Sequence, residues 1–209
     1  MVLDGDLAVP EGASGVILFA HGSGSSRHSP RNVRVAADLR ASGRFGTLLF
    51  DLLTVREDEQ YETRFDIDLL AERLEVATAW VRSAPDLRDL PLGYFGASTG
   101  AAAALVAASR RADVAAIVSR GGRPDLAGEA LADVRAPTLL IVGGDDTQVI
   151  GLNRLAMARM RDLARIAIVP GATHLFEEPG ALEEVSRLAR RWFERYLGQD
   201  HSAGAELGR

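Results

Sequence analysis

Two hydrophobic periods alternate along this chain, and that alternation restricts its fold more than any other feature. Six short runs, residues 16–20, 47–52, 92–95, 114–118, 138–142 and 165–169, are rich in Val, Ile and Leu at consecutive positions. A strand with one wet face would alternate polar and apolar residues, so unbroken apolar runs predict strands covered on both faces, as in parallel sheets. Between the runs the period lengthens. Ile67, Leu70, Leu74, Ala77 and Val81 step by three and four residues, as do Leu182, Val185, Ala189, Trp192 and Tyr196, which is the spacing of one helix face. Strand, helix, strand, helix predicts an α/β fold: a mostly parallel open sheet with right-handed crossovers and helices on both faces. Ahead of the first run, residues 2–10 and the turn signal Pro10-Glu11-Gly12 predict an extra strand, antiparallel at the sheet edge. Past Leu197 the apolar period lapses, so residues 1–198 read as a single domain and 199–209 as a disordered tail.

The composition narrows the chemistry. None of the 209 residues is Cys, which removes disulfides, thiolate nucleophiles and Cys-ligated metal centres. All 24 basic residues are Arg, so a phosphate-loop lysine and a Schiff-base lysine are excluded. A net charge of −5 with scattered arginines argues against a nucleic-acid partner. Residues 1–10 carry two aspartates and no apolar core, and no later run approaches the ~20 apolar residues of a membrane span; a cytoplasmic protein without a membrane partner is expected.

Gly96-Ala97-Ser98-Thr99-Gly100 falls directly after the run 92–95 and directly before an alanine-rich helix expected over 101–109. This is G-x-S-x-G in a strand–turn–helix setting, where a nucleophile projecting from a sharp turn requires small residues two positions away on each side. The competing reading, a glycine-rich cradle for a nucleotide phosphate, belongs at the first strand of a sheet, and its Tyr-x-x-x-Lys partner cannot exist here. A serine hydroxyl needs a base, and the base needs an acid to orient it. His174, in the loop after the last strand, is the candidate base. Asp145 and Asp146, in Gly143-Gly144-Asp145-Asp146 after the penultimate strand, are the candidate acids; adjacent side chains cannot both face one imidazole. The order Ser, Asp, His places all three at the C-terminal ends of strands, where ligands of open α/β sheets gather.

An oxyanion hole needs two N–H donors about 3 Å from the developing charge. Thr99, after the nucleophile, supplies one; the Gly/Ser-rich loop His21-Gly22-Ser23-Gly24 supplies the other through Ser23, with Gly24 as the alternative. His21 reads as a buttress of that loop. A metal site built from His21, His174 and the two aspartates lacks any His-x-His, His-x-x-His or His-Glu-x-x-His spacing. No metal and no cofactor is expected.

With these motifs in hand, the chain from Val16 to Leu197 resembles the α/β-hydrolase superfamily, and within it the compact dienelactone-hydrolase-like group. In that superfamily the acid stands three residues after the glycine ending its strand and three before a small apolar residue. Gly143, Asp146 and Val149 match that pattern, so the resemblance selects Asp146. Where dienelactone hydrolases carry cysteine this chain carries Ser98, so the resemblance implies the fold and the residue roles, together with carboxylic ester hydrolysis in general. The segment between the fourth and fifth parallel runs holds about 19 residues, too few for the cap domain of larger relatives. The expected protein is therefore a serine hydrolase without a cap domain, acting on a small ester or lactone. A non-catalytic ligand-binding module of the same fold and a serine-dependent acyltransferase are the alternatives. Arg120 and Arg123 follow a strand at the catalytic edge, where one could grip a substrate carboxylate; pairing with Asp125 or Glu129 is the competing role. Residues 56–59 read as a charged solvent-facing loop or a lid.

Overall fold

In β2 (Gly15–Ala20) every residue is buried, and successive side chains go to opposite cores. Val16, Leu18 and Ala20 face one layer, Ile17 and Phe19 the other. That division explains why the run is apolar throughout: the period of two is present, but both of its faces are covered. The computed structural model that shows this describes residues 2–198; the tail expected over 199–209 lies outside the described residues.

The remaining strands are β1 (Gly5–Ala8), β3 (Phe45–Phe50), β4 (Leu92–Ala97), β5 (Val114–Arg120), β6 (Thr138–Gly143) and β7 (Ala164–Val169). They lie in one sheet in the order β1-β3-β2-β4-β5-β6-β7. Every pairing is parallel except β1 with β3, so the early segment forms the antiparallel edge strand the sequence predicts. Against one face pack α3 (Ile67–Ser83) and α4 (Thr99–Ser109); against the other pack α1 (Pro30–Arg40) and α6 (Ala181–Leu197). Thr147–Arg159 forms α5. Helix α1 was not legible as an amphipathic period, yet its start is written locally: Ser29 caps it, accepting from the Asn32 amide, and Pro30 occupies the first turn.

Helix α4 is buried almost all round, and its alanines allow close approach to the sheet. Phe193 of α6 lies so close over Gly93 that a Cβ there would stand 2.7 Å from its ring. The buried Tyr94 hydroxyl lies 2.7 Å from Thr78 Oγ1, which itself donates to the Leu74 carbonyl; Tyr94 is therefore the donor, tying β4 to α3.

Two local expectations are corrected. The run expected as a strand over 47–52 forms Phe45–Phe50; the Asp51 amide still donates to the Asp4 carbonyl at 3.0 Å, but the Leu52 amide turns away and donates to His21 Nε2. The expected loop over 56–59 lies in and beside a one-turn helix, α2 (Val55–Asp58). Thr54 and Glu57 form a reciprocal capping box, Glu57 also pairs with Arg73 at 2.7 Å, and Arg64 holds Asp58 at 3.1 Å. Between β5 and β6 the chain makes only 3₁₀ turns, Pro124–Asp133, kinked at Gly128 (φ 55°), and no separate cap domain. No helix among the described residues is long and apolar enough to cross a membrane.

Candidate active site

Because β2, β4, β5, β6 and β7 run parallel, the loops leaving their C-terminal ends all open on one edge of the sheet. Ser98 sits there between β4 and α4 in a left-handed conformation (φ 50°, ψ −120°), one of two non-glycine residues with positive φ among those described. Such a conformation costs roughly 1–3 kcal/mol and has to be held by its surroundings. The Ser98 amide donates to the Arg120 carbonyl at 3.3 Å, and the Ser98 carbonyl accepts from Ala101 and Arg123 at 3.1 Å each. The hydroxyl makes no capping bond to the helix it precedes, so it is left for other chemistry.

The small neighbours of Ser98 are required by contact. A Cβ on Gly96 would stand 2.4 Å from the Ala101 Cα, and one on Gly100 would stand 2.2 Å from the Ala20 carbonyl oxygen. Gly22 opens the loop after β2, and a Cβ on it would stand 3.1 Å from the Ser98 Cβ; the loop backbone thus rides directly on the serine.

His174, in the loop after β7, shares a cavity of about 230 Å³ with Ser98. Its Nδ1 lies 2.7 Å from Asp146 Oδ2. Asp146 occupies the N-cap position of α5, where a carboxylate ordinarily accepts from its own helix; here it makes no capping bond and is spent on His174. Asp145 is exposed, and its amide donates to the Ala172 carbonyl. Ser23 lines the same cavity, and Thr99 opens α4, buried, directly after Ser98.

His21 is buried and lies one residue from the loop glycine that contacts Ser98. The Leu52 amide donates to its Nε2 at 3.0 Å, so the proton of the neutral ring is on Nδ1, which donates to the Gly22 carbonyl at 2.9 Å. Burial lowers its pKa below the usual 6.5, against the opposing pull of that carbonyl and of Asp51 and Asp58.

The two sequence-selected arginines part company. Arg123 makes a bidentate pair with Asp125 at 2.9 and 2.8 Å, the structural role weighed for it, while Glu129 takes Arg159. Arg120 is buried, lines the Ser98 cavity, donates to Asn32 Oδ1 at 3.3 Å and lies over the Phe176 ring. Burial and the charge of Arg31 push its pKa down to about 10, so it stays a cation at neutral pH. Sequence reasoning missed Arg31 and Asn32, which line the same cavity. Their only local signal was Ser29-Pro30, which marks a helix start without saying which way its first turn faces. It also missed Asn153, fully buried, whose amide donates to the Gly122 carbonyl and so steadies the turn after β5. Among the described residues no group of three or more His, Asp or Glu is placed to hold a metal ion.

A sheet of this order, with six parallel strands, an antiparallel edge and a left-handed serine turning β4 into α4, is the α/β-hydrolase fold. The chain belongs to the dienelactone hydrolase family, whose model matches residues 49–198. It is 56% identical to a dienelactone hydrolase of Anabaena variabilis of known crystal structure, covering 93% of this chain and 92% of that one with a TM-score of 0.90. A Mycobacterium tuberculosis protein whose name proposes a phosphoribosyl transferase is 58% identical over 194 residues, 92% of this chain. The chain spans only 44% of that relative's length. Est1E from Butyrivibrio proteoclasticus, at 13% identity over 94% of this chain and 95% of that one, shares the fold with a TM-score of 0.79.

Proposed function

We propose that this hydrolase cleaves small carboxylic esters or lactones through an acyl-enzyme on Ser98. The observation that carries the reading is the strained Ser98 turn opening into the same cavity as His174, whose far nitrogen is held by Asp146. In this mechanism His174 Nε2 takes the Ser98 proton as Oγ attacks the ester carbonyl, and the backbone amides of Thr99 and Ser23 bind the oxyanion. The tetrahedral adduct collapses, His174 returns the proton to the departing alkoxide, and the alcohol leaves; in a lactone that alcohol stays attached to the acyl group. Water, deprotonated by His174, then attacks the acyl-enzyme and regenerates Ser98. Asp146 fixes the imidazole orientation and stabilises its charged form throughout.

The phosphoribosyl transfer suggested by the mycobacterial name is said of a protein more than twice the matched length. The Ser98 cavity supports acyl chemistry. The test is covalent labelling with a fluorophosphonate, followed by peptide mass spectrometry. An adduct on Ser98, lost in Ser98→Ala, is the expected result; labelling of another serine, or none on folded protein, refutes the reading and leaves a non-catalytic use of the fold.

A further inference from the structure

Ser98, Asp146 and His174 come from separate loops, after β4, β6 and β7, and one further turn is bonded or packed to the supports of all three. That turn, Gly121-Gly122-Arg123, leaves β5 at the same edge of the sheet. Its Arg123 amide donates to the Ser98 carbonyl at 3.1 Å, and its Gly121 amide donates to the Ile141 carbonyl of β6 at 2.8 Å. Gly121, left-handed at φ 50°, lies against the loop that carries the base: a Cβ there would stand 2.9 Å from the His174 carbonyl oxygen. Gly122 is seated as tightly, since its Cβ would stand 2.0 Å from Ser119 Oγ and 2.6 Å from the Ala101 Cβ of α4.

The remaining side of the turn is held by one side chain. Asn153 is fully buried in α5, about two helical turns beyond Asp146 at the N-cap. Its Nδ2 donates to the Val149 carbonyl of its own helix at 2.8 Å and to the Gly122 carbonyl at 3.0 Å. The helix itself gains nothing from asparagine, a mediocre helix former that brings polar atoms into the core. Its Oδ1 is in fact buried without a hydrogen-bond partner. What the side chain supplies is the donor to Gly122, a residue that is itself buried, so water cannot readily take over. We propose that Asn153 is a positioning residue: it locks the helix that starts at Asp146 to the turn that fixes Ser98 and backs His174, and so keeps acid, base and nucleophile at working distance. Asn153 does not line the Ser98 cavity and acts only through these groups, so the proposal rests on the serine-hydrolase reading.

The test replaces Asn153 by serine and by leucine. Serine is one atom shorter; it retains a bond to the Val149 carbonyl, four residues back, and loses Gly122. Leucine keeps the volume and loses both bonds. Val81→Ala, a cavity variant in α3 away from the turn, controls for lost stability alone. Steady-state hydrolysis of 4-nitrophenyl acetate is measured at a temperature where calorimetry shows every variant folded. Both Asn153 variants should lose roughly 10- to 100-fold in kcat, with kcat/KM falling in parallel and KM within about threefold, because displaced catalytic groups weaken the transition state and not substrate binding. Val81→Ala should keep its kcat. Unchanged kcat in Asn153→Ser, or an equal fall in Val81→Ala, overturns the proposal; should Asn153→Leu not fold, the serine variant decides alone. Amide hydrogen exchange followed by NMR gives a second arm that needs no substrate. The Arg123 amide, which holds Ser98, should exchange at least about tenfold faster in Asn153→Ser than in wild type or Val81→Ala. If wild type cleaves no ester, the hydrolase reading fails by itself, and exchange still decides the tie: faster exchange at Arg123 supports it, and equal exchange overturns it.

Discussion

Replacing Gly100 by alanine tests the link between the packing of α4 and the placing of Ser98. Gly100 lies in the first turn of α4, and an added Cβ would meet two backbone oxygens, Ala20 at 2.2 Å and His21 at 2.4 Å. Neither can rotate away, since both belong to the end of β2 and the loop that leans on Ser98. The start of the helix must therefore retreat by roughly an ångström, taking Ser98 with it. Overpacking of this kind costs roughly 1–3 kcal/mol, from which the usual helical advantage of Ala over Gly, about 0.5–1 kcal/mol, is to be subtracted. A net loss of up to about 2.5 kcal/mol lowers the melting temperature by up to about 10 °C in a chain of this size. The catalytic effect should be larger in proportion, because a displacement near an ångström can cost on the order of 10²-fold in rate. Gly151→Ala is the control: Gly151 is inside α5, nothing lies within 4 Å of the new Cβ, and stability should rise by about 0.5–1 kcal/mol. Calorimetric unfolding and hydrolysis of a 4-nitrophenyl ester are measured on both proteins. A Gly100→Ala protein as stable and as active as wild type would refute the close contact between α4 and β2 on which the Ser98 turn depends.

Two further outcomes are expected. Asp146→Asn should lower turnover by roughly 10²–10⁴-fold while Asp145→Asn loses far less, since only Asp146 bonds His174; steady-state kinetics showing the reverse order would reassign the acid. His21 has a lowered pKa in the folded protein, so below pH 6.5 the unfolded chain binds the proton more readily. The stability it contributes is therefore complete above that pH and lost as pH falls further. Urea unfolding from pH 8 to pH 5 should show a smaller fall in stability for His21→Gln than for wild type, and equal falls would show that His21 does not carry this dependence.

The architecture and the chemical vocabulary of this protein are legible in the linear order of its residues. Runs such as Val16–Ala20 had to be covered on both faces because every residue in them is apolar, and Gly96 and Gly100 had to flank a tight turn at Ser98. Those are local constraints, carried by side-chain size and period, and they survive in a linear reading. The extent of β3 was not local: the Leu52 amide is diverted from the sheet by His21, far earlier in the chain. Nor could sequence divide the labour among the arginines. Arg120 and Arg123 stand three residues apart in one turn, yet Asp125 satisfies one while the other is buried beside Arg31, brought in from a helix far earlier in the chain. Whether a charge is matched depends on which groups lie within a few ångströms of it, and only the folding of α1 over the end of β5 set that distance.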